Sequence, residues 1–461
     1  MIPTHWLRAL LASALACPLA LAAAATDEEL AEEDRIGALE RKLELLTSEL
    51  ERTRADMVVP EEGELVSVYG LGPGASKVYG LTRGLSLGGY AEGLYTAIVD
   101  DKRESGSKNR ADFLRAVLYA GYKFTDSIIY NMEIEFEHAT TSSTDSSGSG
   151  SASVEFAALD FLIEPWLNAR AGMLLVPMGF LNEIHEPPFY YGTHRPDAET
   201  RILPTTWREN GAGIFGQIAE QVEYKIYLMN GFNAEGFGPE GLRDGRQKGN
   251  RALAEHLAVI GRLDYSPLPE LLVGGSVYVG NSGQDQDITV TSGGTTLGEV
   301  GVPDALTTIW EVHGQLQTAG LHARALFTMA HVDDAADLSR ALGPIPAAPG
   351  LPGGIGVLSA GEAVADTMLG MYAEIGYEIL QWIMPETEMT LEPFFRYEFV
   401  DTQYEVPEGF TRDRSEIVST YTGGIHFEPI PNVVIKLDYR NRSARKGSLG
   451  DEVNAGVGVV F

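Results

Sequence analysis

Along most of this chain apolar and polar residues alternate one for one. The last eleven residues, DEVNAGVGVVF, place Val453, Ala455, Val457, Val459 and Phe461 on one parity and Asn454, Gly456, Gly458 and Val460 on the other. Side chains alternate across a strand, so this is a strand with one apolar face, ending the chain on an aromatic. From Gly84 onward such segments recur, near 84–100, 111–124, 127–138, 153–163, 168–178, 211–219, 222–230, 254–265, 270–280, 305–318, 320–332, 366–380, 387–401, 415–428, 432–442 and 451–461. They total about sixteen, an even number.

The connections between these segments are long and short by turns. The short ones are Thr125-Asp126, EPWLN, AEQ around Glu220, SPLPE around Pro267, Ala319-Gly320, WIMPE around Pro385 and PIPN around Ile430, whereas DDKRESGSKNR and ATTSSTDSSGSGS are long and polar. A transmembrane barrel requires this asymmetry, with short turns on the periplasmic side and long loops outside. A soluble sandwich has no reason to show it, and about sixteen strands in one sheet need closure to remove their edges. The pattern predicts an all-β transmembrane barrel of about sixteen antiparallel strands.

Parity assigns the faces. In 387–401, Met389, Leu391, Phe395, Tyr397 and Phe399 face lipid, while Glu388, Thr390, Glu392, Arg396 and Glu398 face inward. Tyr130, Met132, Ile134 and Phe136 face out against Asn131, Glu133, Glu135 and Glu137, and Ile435, Leu437 and Tyr439 face out against Lys436, Asp438, Arg440 and Arg442. So charged an inner wall predicts a watery lumen.

The N-terminus has a different pattern. Residues 1–25 carry His5, Arg8, an apolar run from Ala9 to Leu21 and small residues through Ala25, the layout of a secretory signal peptide. Cys17, the one cysteine, sits before Pro18 in a context that fits lipoprotein acylation poorly; cleavage near Ala25 leaves a chain without disulfides or thiolate metal sites. In 26–58, Ile36, Leu39, Leu43, Leu46, Leu50 and Met57 fall on alternating steps of three and four. This is a periplasmic coiled coil of about three heptads, and Ile or Leu at both seam positions is compatible with a homotrimer. The bland alternative is a lone amphipathic helix packed on the rest of the protein. Pro60 and the glycines of YGLGPGASKVYG break the helix, making 59–83 a linker before the barrel domain at 84–461.

Composition removes other classes. With 65 acidic against 34 basic residues the formal charge is -31, which excludes a broad basic surface for nucleic acid. No apolar run of about 18 residues follows the signal peptide, so helical membrane spans are ruled out.

The third long connection, 179–210, reads GFLNEIHEPPFYYGTHRPDAETRILPTTWREN, too apolar and proline-rich for a solvated external loop. Folded inward, it narrows the lumen. The candidate lumen and constriction residues are Arg195, Arg201, Arg208, Glu183, Glu186, Asp197, Glu199 and Glu209, with Arg115, Arg170, Arg262 and Arg396 on the walls by parity. The same charges also suit salt bridges that merely pin the loop. His185 and Glu186 open like a zinc-protease helix, but Pro187 and Pro188 forbid that helix, and His194 lies nine residues on; ordinary loop hydrogen bonding is the expectation. The serines near 142–153 have no histidine and carboxylate with them, so no hydrolase is expected. The run from Asp333 to Ala365, rich in Ala, Pro and Gly, reads as an external loop.

The whole layout resembles the trimeric outer-membrane porins. The stretches YAGYKF, EIEFEHA, MGFLNEIHEPPFYYG and LPTTWRENGAGIFG resemble those of porin-like proteins in the phosphate-selective porin superfamily, over nearly the whole barrel. The resemblance implies a passive homotrimeric channel in the outer membrane of a Gram-negative bacterium, with no enzyme activity, no cofactor and no metal. Both termini and the coiled coil are then periplasmic, and Phe461 resembles the terminal signal read by the barrel assembly machinery. The expected partners are outer-membrane lipid and lipopolysaccharide, and small hydrophilic solutes. The basic inner ladder of phosphate selectivity is not matched, so weak selectivity tilted to cations is expected, with an anion-selective pore or a structural tether as alternatives.

Overall fold

A computed structural model describes residues 41–45, 47, 66–100, 108–142, 149–351 and 353–461. The chain divides into two compact units, Met1–Val59 and Pro60–Phe461. In the first, residues 41–45 and 47 are helical and Leu43 is 68% exposed. The signal peptide and Ile36, Leu39, Leu46 and Leu50 of the expected seam lie outside the described residues.

In the second unit sixteen strands close into one antiparallel barrel. They are β1 (Gly84–Ile98), β2 (Arg110–Lys123), β3 (Ile128–Glu137), β4 (Ser151–Glu164), β5 (Leu167–Leu175), β6 (Arg208–Ala219), β7 (Val222–Asn230), β8 (Leu257–Leu268) and β9 (Leu271–Asn281), then β12 (Leu306–Thr318), β13 (Leu321–Val332), β14 (Thr367–Tyr377), β15 (Thr390–Glu405), β16 (Ile417–Ile430), β17 (Val433–Ala444) and β18 (Glu452–Val460). The remaining two, β10 (Asp287–Ser292) and β11 (Thr295–Gly301), form a separate hairpin in a long loop. That hairpin escapes the sequence pattern, although Gly293 and Gly294, both at positive φ, are what a two-residue hairpin turn needs.

Closure follows from pairing β1 with β18, from Tyr90 opposite Val460 to Ile98 opposite Glu452. Beyond the last paired residue, the Phe461 N–H donates to the Gly89 carbonyl at 2.9 Å and its carbonyl accepts the Gly89 N–H at 2.9 Å. The expected parity holds: Phe395, Ile435, Leu437 and Val457 are exposed, while Glu133, Arg396, Glu398 and Asp438 are buried inside. Apolar residues outside and polar ones inside are the inverse of a soluble barrel, and suit a wall between lipid and an inner space.

Two boundaries differ from expectation. The connection around Pro385 is not a tight turn, for β14 stops at Tyr377, Leu380–Ile383 form a helical turn and β15 starts at Thr390. Glu378 draws the chain out of the sheet by accepting the N–H groups of Leu380 and of Leu391, the latter at 2.7 Å. At the third loop, pairing of β5 with β6 runs back to Leu175 opposite Arg208, so Arg208 and Glu209 stand on a strand and the loop proper is 176–207.

The described part of the expected linker is seated inside the barrel. Residues 66–83 run along the inner wall of β1 to β3 as a strap, with Leu71, Ala75, Val78 and Leu81 buried. Asn131 Nδ2 donates to the Ala75 carbonyl at 2.8 Å and Lys123 Nζ to that of Leu81 at 2.6 Å. The glycines that read as helix breakers permit close approach as well: a Cβ on Gly72 would lie 2.6 Å from Glu186 Oε1, and one on Gly88 2.7 Å from the Gly74 carbonyl.

The lumen is not watery throughout. On β7, β8, β13 and β14 the inward positions are charged near the short turns and apolar near the long loops. Lys225 gives way to Tyr227 and Met229, Arg262 to Ile260, Arg324 to Leu326 and Ala330, and Glu374 to Tyr372 and Met368. Onto that apolar half pack Met178, Ile202, Leu203 and Trp207 of the third loop, Phe232, Phe237 and Leu242 of the fourth, and Leu338 and Leu342 of the helix Ala335–Leu342 in the sixth. Burial of these side chains gives the long loops a hydrophobic core inside the barrel.

Candidate functional site

The third loop crosses the lumen and is held from every side. Its first half is fixed by buried polar contacts. Asn182 Nδ2 donates to the carbonyls of Val176 (2.6 Å) and Trp207 (2.8 Å), Glu199 accepts from the Leu181 N–H at 2.7 Å, and Glu186 accepts from the Gly74 N–H of the strap at 2.9 Å. His185 lies against the Asn182 carbonyl (3.1 Å) and Glu133 (3.3 Å) and is buried, a loop contact. Its far half is held by Arg396, fully buried, which donates to the carbonyls of Tyr191 and His194 at 2.9 Å each while paired with Glu398 at 2.7 Å.

The residues expected to form the constriction divide into two groups. Glu186, Glu199, Glu209, Arg208, Arg170, Arg396 and Glu183 are at most 7% exposed. Each is matched within the protein: Glu183 with Lys225, Arg208 with Glu155 at 2.7 Å, Arg170 with Asp160 at 2.6 Å, Glu199 with the Tyr372 hydroxyl at 2.6 Å, and Glu209 with Asn230 at 2.6 Å. Charges taken out of water must be matched in this way, so these seven fix the loop and wall, Glu183 doing so at the edge of the cavity on the short-turn side. Arg195, Asp197, Arg201, Arg115 and Arg262 keep partial exposure. Of these, Arg115 pairs with Glu92 (2.8 Å), Arg201 with Glu416, Asp197 with Arg440 (3.5 Å) and Arg262 with Asp264 (2.7 Å).

Arg195 differs from the other six arginines of this set in having no salt bridge among the described residues. It donates to the Thr206 hydroxyl at 3.3 Å and to the His185 carbonyl at 3.4 Å. Two arginines of the fourth loop converge on the same stretch: Arg243 donates to the carbonyls of Thr200 (3.1 Å) and Thr205, and Arg246 to those of Pro204 (2.9 Å) and Thr206 (2.6 Å). Burial and the mutual repulsion of these cations depress the proton affinity of Arg243, Arg246 and the neighbouring Lys248. Three guanidinium groups with no carboxylate salt bridge among the described residues therefore gather over residues 200–206 at the long-loop side. The two from the fourth loop lie in GLRDGRQ, which has no periodicity to reveal them.

On the short-turn side of the third loop lies a cavity of about 590 Å³. Phe180, Ile184, Pro188 and Phe189 of the third loop form its apolar floor, and Lys225, Arg262, Arg324, Glu374, Glu392 and Glu428 stand among its walls. Tyr69 and Gly70 of the strap close one flank. The loop thus has an arginine cluster on its long-loop side and a carboxylate-rich cavity on its short-turn side. Apart from them, His256, Asp285 and Asp304 have potential ligand atoms within 4.8 Å of one another on the long loops; they are the one such group among the described residues.

A closed barrel of sixteen antiparallel strands, with a loop folded across a charged lumen, has the fold of the outer-membrane porins. The outer-membrane porin OmpF of Salmonella typhi, solved in complex with daunomycin, superposes with a TM-score of 0.52 at 11% identity, over 82% of this chain and 98% of that one. A loop L8 deletion mutant of OmpT, an outer membrane protein of Vibrio cholerae, gives 0.50 at 10% identity, over 82% and 100%. No family model matches the chain. An uncharacterized protein of Aquifex aeolicus (strain VF5) is 35% identical over 395 residues, spanning 84% of this chain and 82% of the relative, and the chain belongs to the family of that protein.

Proposed function

We propose that the protein is a passive outer-membrane channel through which small hydrophilic solutes diffuse down their gradients. The third loop filters them by size. The observation that carries this reading is the closed sixteen-stranded barrel whose inward face is charged and whose third loop lies across the lumen. Wide barrels with polar interiors serve diffusion, and a narrowing loop makes them selective. The filled long-loop half supports a narrow passage rather than a wide pore. Short turns then face the periplasm, as do both termini, and the exposed apolar wall meets lipid and lipopolysaccharide.

Charge along the passage changes sign. Arg195, Arg243 and Arg246 lie above the loop, and carboxylates outnumber fixed cations in the cavity below it. Opposed zones in series support weak overall selectivity. The arginine cluster is what favours the anion-selective alternative, and a strong anion preference abolished by Ala at Arg195, Arg243 and Arg246 would establish it.

Purified protein in a planar bilayer tests the channel. Stepwise conductance is expected; a silent bilayer with correctly folded protein would favour the tether. We further propose a homotrimer, supported by the heptad pattern of 26–58. Replacing Leu43 and Leu46 by Asp should lower the oligomer mass or its thermal resistance.

A further inference from the structure

We propose that the cavity on the short-turn side of the third loop is a binding site for organic cations with an apolar body. The inference deepens the channel reading and rests on it for access of solute to the barrel mouth. Three observations carry it. The first is size and form: about 590 Å³ lies in the range of small-molecule pockets, which join an apolar surface to a few convergent polar groups. Phe180, Ile184, Pro188 and Phe189, all partly exposed, supply the apolar surface. Arg324 braces it from behind, its guanidinium 4.7 Å from the centre of the Phe180 ring and 3.3 Å from the Phe189 carbonyl.

The second observation is an imbalance of charge. Each lysine or arginine of the lining has a carboxylate of the same lining as partner: Lys225 with Glu183, Arg262 with Asp264 at 2.7 Å, and Arg324 with Glu374 at 3.7 Å. After that matching, Glu223, Glu392 and Glu428 have no lysine or arginine salt bridge among the described residues. Glu392 meets His322 (3.1 Å) and the Tyr191 hydroxyl, Glu428 meets His426 (3.0 Å), and Glu223 accepts from Gln217 (3.0 Å). Even with His322 and His426 both protonated, the six carboxylates of the lining outnumber its five cations, so the walls carry net negative charge. Third, Glu374 is 5% exposed, and one of its carboxylate oxygens has no hydrogen bond. Its nearest cations, Arg324 and Arg396, stand at 3.7 and 3.6 Å, beyond hydrogen-bond distance. An anion would meet this surplus unfavourably. An ammonium group offsets the surplus of Glu223, Glu392 and Glu428 on the walls, while its apolar body covers the floor.

Isothermal titration calorimetry on the detergent-solubilised full-length protein tests this with phenethylammonium, its anionic counterpart phenylpropionate, and ethylammonium, which lacks the ring. Phenethylammonium should bind about tenfold or more tightly than either, the value of one well-made charged contact or of one buried ring. Glu428→Gln and Glu392→Gln should each weaken phenethylammonium while leaving phenylpropionate unchanged or tighter; damage to the fold would weaken both. Absence of phenethylammonium binding, equal affinity for the two charges, or full affinity in the Glu392→Gln, Glu428→Gln double variant would overturn the proposal. Calorimetry reads binding whether or not the barrel conducts. A conducting protein that binds no phenethylammonium refutes the site and leaves the channel, whereas a silent protein that binds it does the reverse.

Discussion

Arg396 shows how a lumen charge becomes a fastener. Its parity places it inside, but the guanidinium is fully buried and spends its donors on Glu398 and on two carbonyls of the third loop. Replacing it by Ala leaves Glu398 buried without its partner, and removal of one member of a buried pair costs about 3–5 kcal/mol. Arg396→Ala should therefore lower the midpoint of denaturant unfolding and, by freeing the loop, increase current noise in bilayers. Glu186 makes the corresponding bond on the opposite side, to the Gly74 N–H. Its change to Ala should cost about 1–3 kcal/mol through the unpaired donor, while Gln, which keeps an acceptor, should cost less. Midpoints of the two variants measured side by side would check the order. Alternation alone reveals that Arg396 and Glu133 face inward. Whether such a side chain meets water or a folded loop depends on distant residues, 202 and 205 positions away for Arg396 and 52 for Glu133.

At the scale of elements, the strap at 66–83 ties the short-turn mouth to the third loop. Deleting it should widen the mouth, exposing Tyr90, Tyr119 and Phe156, with which it shares a buried cluster. A larger unitary conductance than wild type is expected; an unchanged value would mean that the strap lies off the path. The terminal strand has a different task. Phe461 closes the barrel through two main-chain bonds with Gly89 and is 52% exposed on the outer face. Its deletion should reduce folded, heat-modifiable protein in the outer membrane, measured by electrophoresis with and without boiling. The sixteen barrel strands were legible as alternating runs between turn signals, because each obeys a local period of two. The β10–β11 hairpin was not, since it lies within a long loop where no barrel strand was needed.

For the whole molecule, the third loop has an arginine cluster on its long-loop side and a carboxylate-rich cavity on its short-turn side. A pore with opposed fixed charges in series passes ions unequally in the two directions. Currents at equal and opposite voltages should therefore differ, the difference should shrink as salt screens the charges, and Ala at Arg195, Arg243 and Arg246 should reduce it. The sequence by itself indicated a barrel of about sixteen strands, the inward and outward faces of the segments near 127–138, 387–401, 432–442 and 451–461, and the inward third loop. All of these follow from short-range periodicity and from the length of connections. Only the tertiary structure decided that half the lumen is an apolar core, that the strap lies within the barrel and which charges remain without partners. Those outcomes depend on how separate loops meet inside one closed wall, and no local pattern in the chain encodes that meeting.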